Sequence, residues 1–187
     1  MVEYYPQPAA GQPITADLLR SMLPRTARKT SDTQRAATTT ATADPHLQFD
    51  VEANAVYAWW GWLKYSSPTA ADINIDFSAP SGSLGEWVGF GPGITRIVSL
   101  TDAASPVAQS DVVESAGYLT RMETTDVTAA RGYGGLGTGT PLGIDLKGTL
   151  RVGSNAGTWS VDWAQRVSDA ANTTIYTDSW IVMIRVA

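Results

Sequence analysis

The hydrophobic positions of this chain change their period once. Between Thr15 and Pro24 they fall at helical spacing, with Leu18, Leu19, Met22 and Leu23 in one stripe. Thr15 stands where an N-cap belongs and Pro24 ends the run, so a helix of about two turns is predicted there. From residue 45 onward apolar and polar residues alternate, the period of a half-buried strand. HLQFDVEA puts Leu47, Phe49 and Val51 on one face. AVYAWWGWLKY sets Val56, Ala58 and Trp60 against Tyr57, Trp59 and Gly61, and ADINIDFSAP repeats the alternation with Ile73, Ile75 and Phe77 before Pro80. SAGYLTRMETT, PLGIDLKGTLRVG, GTWSVDWAQ and SWIVMIRVA follow, with Gly, Pro, Asn, Asp or Ser at nearly every junction. About eight strands and no substantial helix predict an all-β protein, an antiparallel jelly-roll sandwich with an extended N-terminal arm carrying one short helix.

The division falls near residue 44. Pro6, Pro8 and Pro13 hold the start of the chain extended, and a two-turn helix does not persist alone in water. The segment TARKTSDTQRAATTTATADP has almost no large apolar residue and reads as a linker. Residues 1–43 are therefore expected to be an anchoring arm and 44–187 the sandwich domain. The arm cannot bury Tyr5, Ile14, Leu18, Leu19, Met22 and Leu23 on itself, so another protein is expected to cover them.

The last strand adds a second expectation. In SWIVMIRVA, Trp180, Val182, Ile184 and Val186 share a face, yet Ile181 and Met183 are apolar on the other. A strand apolar on both sides is covered on both sides. With the first face assigned to the core, Ile181 and Met183, together with Trp59, are assigned to a subunit interface.

Charge sharpens the division. Residues 18–43 carry five basic side chains against Asp32 alone, whereas 44–187 carry eight basic and fifteen acidic ones, and the whole chain is at −5. Five charges without interleaved aromatics make a thin footprint for nucleic acid, so an arm laid on an acidic protein surface is the better reading. No apolar run approaches the ~20 residues of a membrane helix, and the N-terminus lacks the pattern of a secretory signal.

Candidate chemistry is sparse. Without cysteine, disulfides and thiolate metal sites are excluded, and His46 is the single histidine, placed behind Asp44-Pro45 at a strand edge. No serine sits in a Gly-x-Ser-x-Gly elbow. GYGGLG at 132–137 fits the letters of a dinucleotide loop, but a strand-like run follows it where a helix is required. GFGPG at 89–93 reads as a tight turn. The reading is no enzyme, no cofactor and no metal. WWGW at 59–62 is the best sugar platform, which keeps a carbohydrate-binding or carbohydrate-cleaving module as the alternative.

Two stretches carry a resemblance. AGQPITADLL resembles the A-G-Q-x-[IL]-T-A-x-x-L segment that opens many small tail and fibre proteins of bacteriophages, especially those of actinobacteria. GTLRVGSNAGTWSVDWAQRVSDAANTTIYTDSWIVMIRVA resembles phage virion proteins with a TNF/C1q-like jelly roll. In those, a strand ending W-A-Q precedes a Ser/Thr/Asn-rich hairpin and a closing strand that begins Ser-aromatic. The resemblance implies a homotrimer on the virion surface, joined through residues 1–43 to other phage virion proteins. A minor tail or fibre protein and a capsid decoration or head-fibre protein both fit, and a host surface glycan is a further candidate partner.

Overall fold

The computed structural model describes residue 6 and residues 8–94, 119–123 and 127–187. One short helix, α1 (Ala16–Ser21), precedes the strands. The strands are β1 (Arg25–Arg28), β2 (Thr33–Arg35), β3 (Thr42–Val51), β4 (Val56–Ser66), β5 (Ile73–Ser78) and β6 (Leu84–Gly91), then β7 (Leu119–Glu123), β8 (Arg131–Tyr133), β9 (Leu142–Arg151), β10 (Gly157–Gln165), β11 (Thr173–Ile175) and β12 (Trp180–Arg185). All pair antiparallel, in two sheets.

The pairing follows one rule. β3 lies beside β10, β4 beside β9, β5 beside β8 and β6 beside β7, as in one long hairpin folded over on itself. Rolling that hairpin up gives the sheets β3-β10-β5-β8 and β4-β9-β6-β7, the strand order of an eight-stranded jelly roll. β12 then adds to the free edge of β4 and β1 to β12, while β11 and β2 extend the same sheet alongside the end of β4.

The core lies between the sheets and is dominated by aromatics. Trp159 stacks on Phe77 with ring centroids 5.3 Å apart and meets Trp59 at 5.1 Å. Phe77 in turn packs edge-on against Trp87 at 5.0 Å. Trp159 and Trp163 are therefore core residues, together with Leu47, Phe49, Val51, Ile73, Ile75 and Val161. The alternation read from the sequence placed these inner faces correctly.

It misplaced the inner face of the last strand. Ile181, Met183 and Trp59, expected at a subunit interface, are all buried within the single chain. Two glycines explain this. A Cβ on Gly61 would lie 2.3 Å from Ile181 Cδ1, and one on Gly148 would lie 2.7 Å from the Trp59 ring. Each glycine opens the space that lets a large neighbour point inward. Trp180, Val182 and Ile184 consequently face outward and stay half-buried.

The domain boundary also moves. The stretch 26–45, read from its composition as a linker, carries β2 and most of β1, which belong to the first sheet. The basic side chains hold them there. Lys29 is fully buried and donates to Asp44 Oδ2 at 2.6 Å and Thr33 Oγ1 at 2.7 Å. Asp44 sits where the β3–β10 register shifts and Pro45 interrupts the strand, and there it also accepts from Trp163 Nε1 at 3.1 Å. Arg35 lies over the Trp163 ring, 4.1 Å from its centroid, and donates to the carbonyls of Thr42, Ala43 and Trp163. Arg25 donates to the Asp50 carbonyl and Arg28 pairs with Asp178. Two of the arm's basic side chains thus find their carboxylates, Asp44 and Asp178, within this chain.

The glycine-rich stretches also resolve. GYGGLG leaves β8 and packs on the 67–72 loop, with no helix after it among the described residues. The GFG of GFGPG is not a turn but the end of β6. There a Cβ on Gly89 would strike the Tyr133 side chain, so the bare backbone is what admits that ring.

Asp72 ties the two loops together. Its φ of +55° is left-handed, and its carboxylate accepts from the Gly135 N–H at 3.0 Å with Arg166 4.0 Å away. Burial outweighs both and raises its pKa above the usual 3.8. The folded state then holds this proton more tightly than the unfolded chain, so stability is lost as pH rises from about 3.8 through the folded value. Asn keeps the acceptor for Gly135 and tolerates positive φ. Asp72→Asn is expected to gain stability relative to wild type as pH goes from 4 to 7, read by urea melts. A wild type that gains instead would show that Arg166 dominates the site.

Candidate functional site

Among the described residues, two groups of neighbouring apolar side chains stand open to solvent. The first is the arm. Thr15 Oγ1 accepts from the Leu18 N–H at 3.2 Å and caps α1, and Pro24 follows its C-terminal turn, so the helix forms where its signals lie. None of its residues is buried. Ile14 is 77% exposed, Leu19 53%, Met22 50% and Leu23 63%, while Leu18 is half-buried. Of the predicted arm residues, Tyr5 lies outside those described.

The second surface is the outer face of the sheet, over β4 and β12. Pairing sets Trp180 opposite Trp62, Val182 opposite Trp60 and Ile184 opposite Ala58. Residues directly opposite share a face, so these six make one apolar patch across two strands. Trp60 is 42% exposed and the other five are half-buried. Trp62 lies across Gly143 of β9, where a Cβ would come within 2.8 Å of its indole nitrogen. On β9, exposed Lys147 and Asp145 stand beside Trp60 and Trp62. Lys64 continues the β4 face, and the Arg28–Asp178 pair flanks Trp180.

Of the arm residues singled out in the sequence, Ile14, Leu19, Met22 and Leu23 are exposed. Sequence reasoning missed the sheet patch, because in WWGW and SWIVMI both faces are apolar and alternation alone does not say which is inner. The signal that decides it is Gly61, the one residue on the Tyr57–Trp59–Leu63 face that is not bulky.

Catalytic geometry does not assemble around His46. Its ring nitrogens face Thr30 Oγ1 at 3.4 Å and Ser31 Oγ at 3.2 Å, beside the β3 irregularity. Asp162 accepts from the Ser160 and Ser78 hydroxyls. Among the described residues no cluster of three or more His, Asp or Glu side chains is placed to hold a metal ion.

No protein-family model and no curated protein matches this sequence. Among solved structures, that of the infectious bursal disease virus Gt strain is similar at 11% identity over 88% of this chain and 38% of its own, with a TM-score of 0.20. The VP2 subviral particle of infectious bursal disease virus gives 10% identity over 88% and 37%, at 0.20. The Gx strain of that virus gives 13% over 87% and 41%, at 0.19. The chain thus spans about two fifths of those chains, and overlap this slight carries no argument about its function.

Proposed function

We propose that this chain is a non-enzymatic structural protein of a bacteriophage virion, a homotrimer displayed on the particle surface and attached through its N-terminal arm. The observation that carries this reading is the arm itself. Leu19 on a capped helix, with Ile14, Met22 and Leu23 at its two ends, stands exposed, and the helix itself contains no buried residue. A helix this short is stable only against a partner. The resemblance of AGQPITADLL to phage tail and fibre segments supplies the kind of partner, another virion protein. Either a minor tail or fibre protein or a capsid decoration protein fits the arrangement.

The test is incorporation. Leu18→Asp with Leu19→Asp places two charges where the helix would dock, and is expected to give folded protein that purified particles exclude. Full incorporation of that variant would move the anchor elsewhere. A second reading, a glycan-binding module, is favoured by Trp60 and Trp62 on the open sheet face. The two readings share one expectation, that the protein turns over no peptidoglycan, teichoic acid or polysaccharide. Turnover abolished by replacing a single acidic residue would contradict it.

A further inference from the structure

We infer that the outer face over β4 and β12, the patch of Trp60, Trp62, Trp180, Val182 and Ile184, is where a second copy of this chain packs. The inference rests on the oligomeric reading above and names its surface. It also replaces Ile181, Met183 and Trp59, which the single chain buries on the opposite side of the same two strands.

Composition of the patch argues for protein rather than sugar. A sugar platform is built of flat aromatic faces, yet half of this patch is aliphatic, with Val182 opposite Trp60 and Ile184 opposite Ala58. Aliphatic side chains beside indoles are the makeup of a protein interface core. Contiguous apolar patches of this kind mark interaction sites on soluble proteins.

Charge argues for a second copy. The chain carries a net −5, so two copies repel over most of their surface. This face is different: Arg28, Lys64 and Lys147 stand beside Asp145 and Asp178. Both signs are present at short range, with Lys147 and Asp145 two residues apart on β9 beside the tryptophans. In a homo-oligomer the neighbouring copy carries the same residues, so Lys147 of one copy and Asp145 of the next are available to pair across the contact. A highly charged partner finds no such match.

The absence of cysteine makes the test clean. Light scattering of the full-length protein at micromolar concentration is expected to show a homo-oligomer. Val182→Asp should weaken self-association at least about 30-fold, as loss of an interface hot spot does. Trp60→Ser, at a position already 42% exposed, repeats the test with little risk to the fold, and a cooperative melt verifies both variants. Lys147→Cys places the only thiol on the rim and should yield covalent dimers with a short bismaleimide. Gln48→Cys, on the exposed side of β3 in the other sheet, should not. A monomeric wild type, or an oligomer indifferent to both Val182→Asp and Trp60→Ser, overturns the inference. So does a monomer that binds host glycans through Trp60. Particle incorporation is scored separately: a monomeric wild type that still joins particles through its arm sinks this interface and leaves the virion reading standing.

Discussion

Asp44→Ala unfolds this domain or costs it about 3–5 kcal/mol, the usual consequence of stripping one partner from a buried ion pair. Lys29 and Asp44 are both fully buried and meet at 2.6 Å, so the substitution leaves an ammonium inside the protein without its carboxylate, still hydrogen-bonded to Thr33. The same change removes the acceptor of the Trp163 indole N–H and of the His46 backbone N–H. Guanidinium unfolding measures the loss. The double substitution Lys29→Met with Asp44→Leu removes both charges together and should recover most of the stability, since apolar replacements of buried pairs are often neutral or better. If the double variant is as damaged as the single one, the lost hydrogen bonds rather than the stranded charge set the cost.

Where the chain is cut decides between folding and not folding. Protein 25–187 is expected to melt as the full-length chain does, because α1 contributes no buried residue. Protein 44–187 is expected to fail. It lacks β1 and β2, the buried Lys29, and the Arg35 that donates to three carbonyls across the gap between β3 and β10. It would also uncover the edge of β12, a free strand edge being an aggregation site. Circular dichroism and light scattering on the two fragments give the answer. A soluble, cooperative 44–187 would restore the boundary that composition suggests and make residues 25–43 dispensable.

The two predictions mark where the sequence was legible and where it was not. Alternation placed Leu47, Phe49, Ile73, Ile75 and Phe77, because their polar neighbours leave only one face to bury, and it placed the tryptophans of GTWSVDWAQ although Ser160 and Asp162 between them are buried too. It also located α1, since Thr15 and Pro24 are local signals. Neither Lys29 nor Arg35 announces that it is structural. Each becomes so only through Asp44, Trp163 and the strand irregularity, contacts set by the folded topology and invisible in the order of residues. In β4 and β12 the pattern is symmetric, and the inner face is chosen by Gly61 and Gly148, whose missing side chains leave room for Ile181 and Trp59. Glycine read as a turn signal at GFGPG misled for the same reason: Gly89 is there to let Tyr133 lie against the strand.

The candidate site divides likewise. The helix of the arm was readable because Thr15 and Pro24 bound a short apolar run. The sheet patch was not, because its residues share strands with the core and differ from it only in direction.

The most direct test of the central claim is a cryo-electron microscopy reconstruction of the intact phage particle at a resolution that traces side chains. The account predicts copies of this β-sandwich projecting from the particle surface, with α1 and Ile14, Leu19, Met22 and Leu23 seated in a neighbouring virion protein. A particle without this chain, or one that holds the sandwich through its sheets while the arm contacts nothing, would contradict it.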